Sequence, residues 1–148
     1  ILRRAIEAMP EQPFDYIVID TPPNLNVVSV NILAACSGFI LPIALDVFAF
    51  LGIKLLENTL AELRVNLRIP IPLIGVLATL HDNTIESRER LQQVRAYYGD
   101  LVFPTVIPVN VKVKEANDQH VLYDYAPKSS GAIAYTRFVE EVIARVER

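Results

Sequence analysis

Residues 14–23 read FDYIVIDTPP. Phe14 to Ile19 has the β-branched and aromatic composition of a strand buried on both faces. Asp20 then stands where that strand leaves the sheet, and Pro22-Pro23 stops the chain from continuing as helix or ladder. A carboxylate placed there costs free energy unless something compensates it. Spacing alone leaves two readings open. Asp20 holds a divalent cation beside phosphates, often through a water, or it caps the following loop by accepting backbone N–H bonds.

Working outward, strand and helix patterns alternate. Leu2 to Met9 reads as a helical end, Val27 to Cys36 as a helix and Phe39 to Ile43 as a second strand. A long helix is expected from Phe50 to Arg68, where Leu51, Leu55, Leu56, Leu60 and Leu63 recur at helical spacing, and Pro70 and Pro72 end it. Leu73 to Leu80 (LIGVLATL) is a third strand. Thr84 is placed to cap a helix from Ile85 to Tyr98 that stops at Gly99. Leu101 to Ile107 is a fourth strand. After a loop region with a short helical piece, Ser130 to Arg148 carries one apolar stripe of Tyr135, Phe138, Val139, Val142, Ile143 and Val146, with Ser129-Ser130 as its cap. This alternation predicts an α/β fold, a mostly parallel sheet with helices on both faces. Ligands bind such sheets beyond the carboxyl ends of the strands. Asp20-Thr21, Leu45-Asp46, Thr79 to Asp82 and Pro108 to Asn110 all fall at those ends.

The 148 residues suit one domain with one sizeable core, and 52% apolar against 21% charged residues is a globular composition. A net charge of −3 argues against a uniformly basic nucleic-acid binder and leaves room for a local basic patch. The single cysteine, Cys36, is expected to be buried and inert, and it excludes a self-contained zinc or iron–sulfur site built from cysteines. His81 and His120 lack metal-ligand spacing. The uncharged run Val27 to Leu45 is interrupted by Asn31, Ser37-Gly38 and Pro42, so a helix followed by a strand is expected there instead of a membrane span. The chain opens on Ile1 with no signal-peptide pattern, and the expectation is that this is not a natural N-terminus.

The stretches DYIVIDTPPNLNVVSVNILAA, VLATLHD, GDLVFPTVIPVN and YAPKSSGAIAY, in this order, resemble the ParA/Soj/MinD family of partitioning ATPases, most of all ParA and Soj proteins, over essentially the whole chain. The resemblance implies a P-loop NTPase-like fold of the deviant Walker A class. It makes Asp20, Thr21, Pro22 and Pro23 the switch II stretch D-x-P-P, with Asp20 supporting Mg²⁺ and the attacking water. Pro108 and Asn110 match the I-P-x-N loop that holds adenine, and Thr79 and Asp82 match a strand-end T-x-x-D close to the base. ATP and Mg²⁺ are the implied cofactors. The implied cycle is homodimerisation in the ATP state, non-specific DNA binding, and hydrolysis stimulated by a ParB-type partner, in the cytoplasm and away from membranes.

The family's K-G-G-x-G-K-[ST] phosphate loop is not among these residues: the five glycines, Gly38, Gly52, Gly75, Gly99 and Gly131, never pair, and none precedes Lys-Ser or Lys-Thr. The expectation is therefore the C-terminal part of a ParA-type domain, inactive by itself as an ATPase, with a non-catalytic binding or dimerisation module as the alternative. For DNA, Arg88, Arg90 and Arg95 share one helix, and Lys112 and Lys114 follow the adenine loop. Glu86 and Glu89 interleave with the arginines, which favours a solvated face for that helix by itself. Val109 stands where the family loop commonly has Arg. A basic amphipathic C-terminus of the membrane-targeting kind is absent from FVEEVIARVER. An iron-protein-like electron carrier of the same fold would need paired cysteines.

Overall fold

The computed structural model describes residues 1–10, 14–22, 26–46, 49–67, 72–116 and 121–147, and of residues 49–52, 55, 66 and 67 only the backbone. Pro23, Pro70 and His120 lie outside the described residues. Contacts divide the chain into two compact units, residues 1–39 with 52–72 and residues 40–51 with 73–148.

The first unit holds α1 (Leu2–Glu7), α2 (Val27–Ala35) and most of α3 (Ala49–Leu67). Asn26 starts α2: its Oδ1 accepts from the backbone N–H of Val28 at 2.9 Å and of Ser29 at 3.2 Å, two donors that the first turn of any helix leaves without a partner. α1 packs against α2, and α3 buries Ile53 and Leu60.

The expected first strand is not formed. Residues 14–22 run as irregular chain outside the sheet, with Val18 94% exposed and Phe14, Tyr16 and Ile17 about half exposed or more. A buried parallel strand needs a ladder beside it and cover on both faces. No strand neighbours it among the described residues, so an apolar composition that asks for such a place does not obtain one.

The second unit is α/β. It contains β1 (Phe39–Ala44, whose first residue the contacts place in the other unit), β2 (Leu73–Thr79), α4 (Ile85–Tyr98), a 3₁₀ turn (Gly99–Leu101), α5 (Val111–Ala116), α6 (Leu122–Tyr125) and α7 (Ser130–Val146). β2 is its middle strand. Successive carbonyls of a strand point to opposite edges, and here Thr79 O accepts from Leu45 N at 3.0 Å, whereas Val76 O and Ala78 O accept from Phe103 N and Ile107 N, each at 2.9 Å. The third member, residues 102–109, runs parallel to β2, bridging Val76 at Val102 and, past the end of β2, His81 at Pro108. This corrects the expected strand Leu101 to Ile107: Pro104 has no N–H to give, and the N–H of Thr105 goes to Glu141 Oε2 at 3.1 Å, so the ladder is broken in its middle.

Leu77, Phe103, Ile107 and Ala134 form the core of this unit, with Ile40, Ile74, Tyr135, Phe138 and Val142 packed on it. The Phe103 and Phe138 rings meet edge to face at 5.1 Å. Only part of the expected α7 stripe faces this core. Val139, Ile143 and Val146 remain 36–48% exposed, because at 100° per residue they lie to one side of Tyr135, Phe138 and Val142. The run Val27 to Leu45 divides into α2 and β1 as expected, and among the described residues no helix is long and apolar enough to cross a membrane. Cys36 is half-buried, and burial pushes its thiol pKa up, which disfavours the reactive thiolate.

Candidate functional site

The polar rim of the second unit forms where β2 and the segment beside it end. β2 gives way at Leu80, whose φ is +56°, and Asn83 follows at +64°. A leucine in the left-handed region is strained, and strain of this kind gathers at functional loops. Between those two residues, His81 pairs with the neighbouring exit: its N–H donates to Ile107 O at 3.1 Å and its O accepts from Val109 N at 2.9 Å. The rung sets His81 opposite Pro108, with Thr79 and Asp82 on one exit and Asn110 on the adjoining one. His81 Nε2 is buried and has no hydrogen-bond partner among the described residues.

Asp82 is exposed and works on its own loop. Its Oδ1 accepts from Thr84 Oγ1 at 2.8 Å and from Thr84 N at 3.1 Å. These bonds, the hydroxyl's first, hold its carboxyl below its ordinary pKa. Thr84 in turn caps α4, accepting from Ser87 N at 3.2 Å. On the other exit, Asn110 Oδ1 accepts from Lys112 N at 2.8 Å and Val113 N at 3.2 Å, and its Nδ2 donates to Ser130 Oγ at 2.8 Å. Sequence reasoning placed Ser129-Ser130 as the cap of α7 and missed the bond from Asn110 to Ser130. The signal for half of the arrangement was present, since an Asn before VKVKEA is a helix cap, but the Ser130 contact spans 20 residues.

Asp20, Thr21 and Pro22 belong to the first unit and lie exposed in irregular chain. Among the described residues no three His, Cys, Asp or Glu side chains converge as a metal site. A lone carboxylate suits Mg²⁺, which keeps several waters and takes phosphate oxygens as ligands.

The five candidate DNA contacts are less alike than the sequence suggests. Arg88 Nη2 and Nε donate to Asn83 O at 2.7 and 3.1 Å, and Arg90 Nη1 to Leu45 O at 3.2 Å. Arg95 Nη2 reaches Pro104 O at 3.5 Å. Lys112 Nζ sits 2.8 Å from Glu115 Oε2 and 3.2 Å from Tyr125 OH, and these contacts raise its pKa. Lys114 is exposed in the last turn of α5.

Residues 1–72 match a family described as an AAA domain. The chromosome-partitioning ATPase Soj of Thermus thermophilus is 38% identical over 95% of this chain and 57% of its own length. The chain is a relative of the ParA/Soj family. The chromosome partitioning protein ParA of Caulobacter vibrioides is 37% identical over 97% of the chain and 55% of its own length. For the sporulation initiation inhibitor protein Soj of Bacillus subtilis the figures are 36%, 97% and 57%. The chain thus spans little more than half the length of these ParA/Soj relatives. The α/β class and parallel sheet described above are those that the ParA/Soj resemblance implies.

Proposed function

We propose that the polypeptide carrying this chain is a ParA-type ATPase that partitions chromosomal or plasmid DNA. The observation that carries this reading is the similarity to proteins named for chromosome partitioning, which runs through 95–97% of the chain. In this reading Pro108 packs against adenine on the rim beside Thr79 and Asp82. Asp20, with Thr21 and Pro22 after it, supports Mg²⁺ and orients the attacking water. Bound Mg²⁺ supplies charge neutralisation of the phosphates. Homodimerisation in the ATP state, non-specific DNA contacts and stimulation by a ParB-type partner complete the cycle.

Asp20→Ala in the complete polypeptide tests it. Asp20 is exposed, so the variant is expected to unfold at the same temperature as the parent while losing Mg²⁺-dependent ATP hydrolysis. Turnover at the parent's rate would sink the assignment. A parent that dimerises without hydrolysing ATP would mark a binding module instead.

A further inference from the structure

We infer that Asn110 and Ser130 act as a pair of positioning residues for the nucleotide loop, and that the Asn110 amide does not itself read the base. The inference rests on the adenine reading of Pro108. Both ends of the amide are already occupied. The oxygen holds the first turn of α5 through Lys112 N and Val113 N, and the nitrogen holds Ser130 Oγ at the first turn of α7. An amide oxygen has two lone pairs, and both point to backbone donors here. Only one Nδ2 hydrogen remains.

The surroundings fix the same geometry a second way. Gly131 is buried, and a Cβ built on it would collide with Val113 Cγ2 and come within 3.4 Å of Asn110 Cβ and Cγ. The start of α7 is therefore pressed onto α5 at the point where Asn110 joins them. Asn110 lies two residues after Pro108 and next to Val109, whose N–H is bound to His81 O. Pro108 is thus fixed from one side by the rung to His81 and from the other by the Asn110–Ser130 bond. A prolyl ring held this way offers a preformed flat apolar face, and preorganisation of that kind lowers the cost of binding. Discrimination between purines then falls to other groups on the rim.

The experiment uses the complete polypeptide, a fluorescent ATP analogue as probe and GTP as competitor. Ser130→Ala removes the acceptor and leaves the Ser129 cap of α7 in place (Ser129 Oγ to Ala132 N, 3.2 Å). It is expected to weaken ATP binding about three- to tenfold at a temperature where the protein is fully folded, with kcat unchanged and KM raised. Ser130→Thr keeps the hydroxyl and should restore binding. Asn110→Ala loses the link to Ser130 together with the cap of α5, and should weaken ATP and GTP by equal factors. The double variant should be no weaker than the worse single one. Parent-like binding by Ser130→Ala, or a changed ATP:GTP ratio in Asn110→Ala, would overturn the inference while leaving the ATPase reading intact. No binding of the probe by the parent would overturn both. In that case the unfolding temperatures of the same variants still report whether the two side chains are coupled.

Discussion

Arg145 lays its guanidinium 4.2 Å from the centre of the Phe103 ring. From there Nη1 donates to Ile74 O at 3.1 Å and Leu101 O at 2.9 Å, and Nη2 to Asp100 O at 3.2 Å. One planar fork thus ties α7 to the entry of β2 and to the 3₁₀ turn, while its face covers a fully buried aromatic ring. Arg145→Met should keep the apolar cover and lose the carbonyl bonds, lowering stability by about 2–3 kcal/mol in denaturant titration. Arg145→Lys should recover little of this, because a single ammonium does not reproduce the fork.

The same corner leaves no room at Gly75. A Cβ there would stand 2.5 Å from Phe103 Cε2 and 2.6 Å from Arg145 Nη1. Gly75→Ala is expected to cost about 1–3 kcal/mol through forced displacement of the ring and the guanidinium. A variant as stable as the parent would show that the corner gives way easily.

Leu80 invites a change of opposite sign. Its side chain is 51% exposed and its φ is +56°. Asn tolerates that region better, so Leu80→Asn should stabilise the protein by about 1 kcal/mol. If the strained turn serves the nucleotide rim, the same variant will bind ATP more weakly although it unfolds at a higher temperature.

Acid should loosen the start of α4. The Asp82 carboxyl is held below its ordinary pKa by Thr84. A depressed folded pKa means a contribution that is present above the unfolded pKa and lost as pH falls through the folded one. Protection of the Thr84 and Ser87 amides, taken relative to their intrinsic exchange rates at each pH, should therefore fall as pH is lowered through about 4. Asp82→Asn should leave that protection nearly unchanged over the same range.

For DNA, the bound arginine and the exposed lysines should differ. Arg90 is bound to a strand-exit carbonyl, so Arg90→Ala should lower stability and leave the salt dependence of DNA binding unchanged. Lys114→Ala should reduce the slope of log affinity against log salt by about one, and Lys112→Ala likewise once its link to Glu115 is broken. Filter binding across a salt series reads all three slopes.

The sequence foretold these elements unevenly, for physical reasons. α4 runs from Ile85 to Tyr98 in sequence and structure alike, because Thr84 and Gly99 are local signals that need no distant partner. Phe14 to Ile19 was misjudged because composition shows what surroundings a segment would suit and not whether a neighbouring strand is present. Residues 101–107 were half legible: their parallel register on β2 is real, but Glu141 takes the Thr105 N–H from 36 residues away. At the rim, Thr79, Asp82, Pro108 and Asn110 belong to adjoining strand exits, as read. The bonds that define their work, Asn110 to Ser130 and the arginines to backbone carbonyls, join residues that no spacing pattern connects.

Glu141 and Arg145 stand one helical turn apart on α7. Glu141 takes the Thr105 hydroxyl at 2.7 Å, and Arg145 grips the turn before it. Tyr135, Phe138 and Val142 close the core from the same helix. During synthesis, β2 and α4 emerge long before these residues do, so the unit stays unlatched until α7 has cleared the ribosome. The nascent unit is then most exposed to proteases and chaperones just before α7 appears.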